Sequence, residues 1–403
     1  MPTYMQYPPN NIRLVTQNIL EYIVVLFIIL ECRSVYTYMS IDLINDVLFR
    51  GTLFLLGLLV LLARKGNIHI LKTIGFILLY GCWLLPSIIK ILPQNQLSYI
   101  CRFYFLIILF VVYLACNRQN YYNLLSKYVN LIVFLSVFSV IMWLLCSIFQ
   151  ILPLDYTVPY YWTPNVKLIN SYYYLYFETQ NSLFCGIPIV RNTAIFTEAP
   201  MYNFHLCLAL LALLFLKKER SITKVSILSL TILTTFSTTG QLFLLISFFL
   251  KFLLSEFSLK YKIMVWFISL ILGVVLVFVG NEILENKKQA NNSYAIRITD
   301  MKKEFRMWEQ NPIMGVGYGN STNKNSSNST FFILANGGIY LFSLYCFSIL
   351  IYPFIKMKSI RLKVFFVLFF VLFSITIVPN SIVVFLIISF SFSRIISKKH
   401  CCN

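Results

Sequence analysis

Apolar runs of about twenty residues, the length a helix needs to cross a bilayer, recur from end to end of this 403-residue chain. They lie near 15–33, 47–63, 70–91, 99–116, 129–151, 200–216, 222–237, 239–255, 262–280, 329–355, 362–378 and 381–396. They predict an all-α, polytopic integral membrane protein of about 12 transmembrane helices, a single transmembrane domain over 1–403. Composition agrees. Charged residues make up 12% of the chain, against about 25% in a soluble globular protein. The apolar run at 19–30 is flanked by Glu21 and Glu31 and lacks a small-x-small cleavage site. It reads as a first span, not a cleaved signal.

A net charge of +19 would suit a nucleic-acid binder if the charge were clustered. Here Lys and Arg stand mostly singly or in pairs between apolar runs, as positive-inside loops do, so nucleic acid is excluded as a partner. The ten Cys form no C-x-x-C pair, and Cys82, Cys101, Cys146, Cys207 and Cys346 read as small apolar core residues. Without an Asp-x-Asp or a His cluster, no metal and no cofactor is expected.

Between Lys224 and Lys251 no charge interrupts the apolar sequence. Parity makes it two short spans hinged at Ser237-Thr-Thr-Gly240. Lys217, Lys218 and Arg220 then share a side with Lys251, Lys260 and Lys262. Arg64/Lys65/Lys72, Arg118/Lys127, Lys356/Lys358/Arg361/Lys363 and Arg394/Lys398/Lys399 join them. The positive-inside rule puts that side, with both termini, in the cytoplasm. Two long loops, 152–199 and 281–328, then share the extracytoplasmic side.

The first loop is rich in aromatics: Tyr156, Tyr160, Tyr161, Trp162, Tyr172, Tyr173, Tyr174, Tyr176 and Phe177. They suit an interfacial belt or a surface on which sugar rings stack. Pro153, Pro159, Pro164 and Pro188 predict an irregular path. Arg191 and Glu198 close the loop; on a helix their spacing would share a face. They read as a structural ion pair or as a site. Pro200 suits the first turn of the next span, and His205 reads as a hydrogen-bonded core residue. In the second loop, Asn292 or Ser293 can cap a helix running to about Gln310. Arg297, Met301, Phe305 and Trp308 lie on one face of it, with Lys302, Lys303, Arg306 and Glu309 off that face. Asn311-Pro312 stops the helix. The segment Gly315-Val-Gly317-Tyr318-Gly319 follows a helix, not a strand, so it reads as a tight turn permitting close approach, not a dinucleotide loop.

These residues carry a family likeness. Arg191, then Phe196-Thr-Glu198-Ala-Pro200 before a span, resembles the O-antigen ligase/polymerase superfamily. The Ser-Thr-Thr-Gly hinge looks like that family's S-R-T/G-G turn without its Arg. The strongest match is Arg297-x-x-Asp300…Trp308-x-x-Asn311-Pro312-x-x-Gly315-x-Gly317-x-Gly319. The family's next element is His-Asn-x-x-Leu and a later Gly; here Ser327-Asn328-Ser-Thr-Phe331 and Gly337-Gly338 stand there. The missing His counts against a ligase and favours a Wzy-type repeat-unit polymerase for capsule, exopolysaccharide or O-antigen.

The resemblance implies a metal-independent glycosyltransferase in the bacterial cytoplasmic membrane. Its substrate would be an undecaprenyl-diphosphate-linked oligosaccharide, its surroundings membrane lipid, and a chain-length regulator a further partner. Arg191 and Arg297 are then the catalytic cations, and Glu198 takes a proton or orients Arg191. Pro200, Arg306, Asn311, Gly317, Tyr318, Gly319 and Asn328 are the expected substrate-binding positions. A lipid-linked oligosaccharide flippase and an O-antigen ligase remain the alternatives.

Overall fold

A computed structural model describes residues 11–39, 43–63, 69–117, 122–161, 166–184, 187–216, 221–255, 293–320 and 326–396. The expected ninth span (262–280), much of the second loop, Trp162, Pro164 and the terminal Cys401-Cys402 lie outside the described residues.

The helices follow the apolar runs: α1 Asn11–Glu31, α2 Leu43–Leu62, α3 Ile70–Ile89, α4 Pro93–Cys116, α5 Asn123–Ile148 and α6 Ala199–Leu216. After these come α7 Ile222–Thr234, α8 Thr238–Leu253, α9 Ser293–Gln310, α10 Ser329–Lys356, α11 Ile360–Ile375 and α12 Ile382–Ile396. Seven of the described helices are long and apolar enough to cross a membrane: α1 to α6 and α10. The chain is thus mostly helical with several candidate spans, seven of them counted among the described residues, which do not include the expected ninth. Helices α7, α8, α11 and α12 are apolar but have only 13 to 16 residues. Non-helical turns at 235–237 and 376–381 bound them.

Two helices form the centre. From Met201 to Phe215 α6 has no exposed side chain, and α12 is buried from Ile382 to Ser393. Helices apolar all round belong in such a core. His205 is 0% exposed; its Nδ1 meets the Tyr128 hydroxyl at 2.7 Å and its Nε2 the Cys32 carbonyl at 3.2 Å. The core reading of this histidine stands. Two buried ion pairs lie against α1, Lys127 with Glu21 and Arg102 with Glu31. A charge in such surroundings is tolerable only when paired.

The first loop is not irregular. It folds into a three-stranded antiparallel sheet, β1 Tyr156–Tyr160, β2 Lys167–Tyr172 and β3 Tyr176–Glu178, and a hairpin, β4 Asn181–Phe184 with β5 Ile187–Val190. Alternation explains the first sheet. Val158, Tyr160, Ile169 and Ser171 are buried, whereas Thr157, Pro159 and Leu168 face out. Pro159 sits on edge strand β1, where its missing N–H costs little. The aromatics therefore divide. Tyr160, Tyr172, Tyr176 and Phe177 are core residues of the sheet, and Tyr156, Tyr161, Tyr173 and Tyr174 are exposed.

Candidate active site

Arg191 follows β5 directly. Its N–H donates to the Gln180 carbonyl at 3.0 Å. Trp143 Nε1 donates to the Val190 carbonyl at 2.8 Å, fixing the strand to α5. The 191–198 stretch is extended and turned, not helical: Ala194 has φ +50° and Glu198 is the extended N-cap of α6. A helical periodicity therefore does not relate Arg191 to Glu198. A third residue does. The Gln180 side-chain oxygen accepts from Arg191 Nη1 at 3.4 Å and from the Ala199 N–H at 3.1 Å, while its nitrogen donates to Glu198 Oε2 at 3.5 Å. Pro200 occupies the first turn of α6, as its fixed φ suits.

The hinge between α7 and α8 meets this arginine. Arg191 Nε donates to the Thr235 carbonyl at 2.8 Å, and Asn192 N–H to that of Thr234 at 3.2 Å. Ser237 caps α8 by accepting from the Gly240 N–H. Both short helices pack on α6. At Gly240 a Cβ would stand 2.5 Å from Asn203 Oδ1, so glycine lets α8 close on α6. The hinge tip thus lies at the end of the bundle that carries the first loop.

Arg297 enters from α9. Burial pulls the Arg191 pKa down to about 10; Glu198 opposes that fall and the positive charge of Arg297 adds to it. The positive charge of Arg297 is thus felt at Arg191. Among the described residues, neither has a carboxylate within ion-pair distance. Arg297 is exposed on its helix. The buried face of α9 is not the apolar stripe read from spacing. It holds Asp300 (6% exposed) and Glu304 (2%), whereas Phe305 is 40% exposed. Glu304 accepts from the Ser326 hydroxyl, and its other oxygen has no hydrogen-bond partner among the described residues. Burial raises its pKa to about 7; Ser326 opposes this and Asp300 adds to it.

Several expected binding positions have structural duties. Gly315, Gly317 and Gly319 have φ of +64°, +100° and +77°. Their turn is pressed into a break in α10, where Gly338 has φ +63°. Val316 and Gly317 donate to the Ala335 and Asn336 carbonyls at 2.9 and 3.0 Å. Ile339 and Tyr340 donate to those of Pro312 and Ile313, both at 2.9 Å. A helix broken inside a candidate span needs such replacement partners. Asn311 accepts from the Gly315 N–H through its carbonyl, and the Asn328 side chain caps α10. Arg306 is exposed, away from the buried face of α9. Ser327 Oγ donates to the Arg297 carbonyl at 3.4 Å, so the position where the family has His adjoins Arg297.

Tyr318 belongs elsewhere. It lines a cavity of about 790 Å³ with Arg33, Tyr38, Arg102, Tyr161 and Phe332. Sequence reading missed Arg33 and Arg102, which stand at the ends of apolar runs and resemble topological markers. Arg33 has φ +62°, and Ser34 forms a β-bridge with Phe196. The wall of the cavity is thereby joined to the Arg191–Glu198 stretch.

Residues 224–346 match the family model described as O-antigen ligase. No curated protein matches the chain, and no solved structure does. The matched segment holds the α7–α8 hinge, Arg297, the glycine turn and the break in α10. Over those residues the resemblance to the O-antigen ligase/polymerase superfamily is borne out.

Proposed function

We propose that the protein is a repeat-unit polymerase at the outer face of the cytoplasmic membrane. It transfers a glycan chain from its undecaprenyl diphosphate carrier to a second lipid-linked repeat unit. The observation that carries this reading is a largely buried Arg191, tied to the α7–α8 hinge and through Gln180 to Glu198, that feels the positive charge of Arg297. Two guanidiniums so held repel until a multivalent anion joins them, and a diphosphate can accept from both. Supporting it, the matched family acts on lipid-linked oligosaccharides in membranes.

The transfer needs three things. The acceptor hydroxyl oxygen bonds to the donor's anomeric carbon. The bond from that carbon to the diphosphate oxygen breaks, leaving its electron pair on the diphosphate, whose charge the arginines offset. The hydroxyl proton passes to the Glu198 carboxylate, which Gln180 orients. Ser327 in place of His favours polymerase over ligase. A chain-length regulator would act as a partner from outside this site.

Disruption followed by glycolipid analysis tests the reading. Single repeat units on carrier at the outer face are expected. Long polymer on carrier would instead identify a ligase, and units trapped inside a flippase. Arg297→Ala, expressed to the parent level, should reproduce the disruption.

A further inference from the structure

A transfer between two lipid-linked glycans needs a second binding place, for the acceptor. We propose that the cavity bounded by Arg33, Tyr38, Ser98, Arg102, Tyr161 and Tyr318 holds the non-reducing end of the acceptor's oligosaccharide, presenting its hydroxyl toward Glu198. The inference rests on the polymerase reading for the word acceptor; that the cavity binds glycan is tested without it.

Position is the first argument. The Thr197 N–H donates to the Arg33 carbonyl at 3.1 Å, and the Tyr160 hydroxyl donates to the Thr197 carbonyl at 2.6 Å. Tyr161 N–H donates to the Tyr38 carbonyl at 3.1 Å. Glu198 thus directly follows a residue that is bonded both to Arg33 of the cavity wall and to Tyr160, the neighbour of Tyr161. The Tyr160 hydroxyl feels both charges: burial raises its pKa, Glu198 raises it further, and Arg33 opposes them. Glu198 is also held by Gln180, which accepts from Arg191. The chain of contacts runs from Arg191 through Gln180 to Glu198 and on through Thr197 to Arg33 of the cavity. A transfer needs the same order: leaving diphosphate, proton acceptor, incoming hydroxyl.

Chemistry is the second. Small-molecule sites occupy about 300–1,000 Å³ and carry a few placed polar groups on apolar walls; this cavity has about 790 Å³. Tyr161, Tyr318 and Phe332 supply aromatic lining suited to the apolar face of a sugar, and Asn45, Asn380, Ser98 and Ser381 supply polar groups suited to hydroxyls. Arg102 is held by Glu31 at 3.0 Å and by the Asn380 carbonyl at 3.1 Å. Glu31 also accepts from the Ile382 N–H at 3.1 Å. The polar wall is thus built in advance of any ligand, and α1, α4 and the α11–α12 connection all contribute to it.

The test is equilibrium binding to the full-length protein in lipid nanodiscs, with two probes. One is the cell's own repeat-unit oligosaccharide, released from its carrier by mild acid. The other is undecaprenyl diphosphate. Tyr161→Ala removes an exposed ring, and Ser98→Trp fills the cavity from an exposed helix position, so neither disturbs the core. Both should weaken oligosaccharide binding at least tenfold and leave undecaprenyl diphosphate binding as in the parent. Arg297→Ala should do the reverse. Retained undecaprenyl diphosphate binding also shows that a variant is folded. Normal oligosaccharide binding by both cavity variants overturns the assignment. So does loss of undecaprenyl diphosphate binding in them with Arg297→Ala unaffected, or no oligosaccharide binding by the parent. Failure of the polymerase reading appears separately, in the glycolipid analysis of the disrupted cell.

Discussion

Arg191→Gln should make the empty protein more stable while removing its response to diphosphate. The guanidinium pKa falls from 12.5 to about 10, chiefly through burial. At 1.36 kcal/mol per pKa unit, holding that charge in the folded protein costs about 3 kcal/mol. The sign follows from linkage. A base with a depressed folded pKa is penalised fully below that pKa, and the penalty fades as pH rises from about 10 toward 12.5. At neutral pH the whole cost is present. Against it stand the charge-assisted bond to the Thr235 carbonyl (2.8 Å), worth about 2 kcal/mol, and a long contact to the Gln180 oxygen (3.4 Å), worth little. The neutral variant should therefore gain about 1 kcal/mol. A bound diphosphate reverses the balance by stabilising the charged form, so its affinity should fall about a hundredfold, the equivalent of about 3 kcal/mol. The assay is the melting temperature of the purified full-length protein with and without undecaprenyl diphosphate. The parent should melt lower when empty and rise more on binding. A variant that melts below the parent when empty, or gains as much from the ligand, refutes the reasoning.

Glu198→Gln should lower polymer formation about a hundredfold, the typical worth of general-base work, without changing undecaprenyl diphosphate affinity; a parallel loss of affinity would mean that Glu198 serves only to orient Arg191. Gly338→Ala should abolish monodisperse protein in size-exclusion chromatography. Its φ of +63° and ψ of −166° are open essentially to glycine alone, at about 1–3 kcal/mol for other residues, and the added Cβ would strike the Ile313 carbonyl. Parent-like yield and melting would refute this. Glu304→Gln should flatten the dependence of stability on pH. The folded pKa of about 7 exceeds the ordinary 4.5, so the parent is favoured below about pH 4.5 and loses about 3 kcal/mol as pH rises through 7. The two melting curves should meet at acid pH, with the variant higher above pH 7; parallel curves would place Glu304 in water.

The sequence showed what backbone chemistry forces. The break read near 237–240 is there, and the structure adds that Ser237 caps α8 and that Gly240 lets it close on α6. The stop at Gln310, the glycine turn and Pro200 likewise follow from fixed or forbidden φ angles. Side-chain periodicity served less well. In α9, residues at four, four and three spacing suggested an apolar stripe, but the helix is turned so that Asp300 and Glu304 face inward. Acid burial of that kind depends on a partner 22 residues away in sequence, Ser326. The β-strands of the first loop were hidden because tyrosines at an interfacial belt and tyrosines in a small sheet have the same composition. Gln180 belongs to no motif; only the folded hairpin shows that one amide reaches Arg191, Glu198 and the start of α6.

The same geometry explains why a loop that begins at the bundle's edge can form part of a site. Charges at a membrane surface are mobile unless the backbone beneath them is fixed. Here Arg191 is tied to the α7–α8 hinge, the following Asn192 to the same hinge and to Ser139 of α5, and Phe196 to the turn after α1. Arg297 is tied differently, through Ser327 and the loop that caps α10. The arginines therefore belong to separate supports, one joined to the central helices and one to the broken helix. A ligand that bridges them must also couple those supports. On this argument the glycine interlock between 312–317 and 335–340 sets the distance between the cations, and loosening it should weaken diphosphate binding while every charged side chain stays in place.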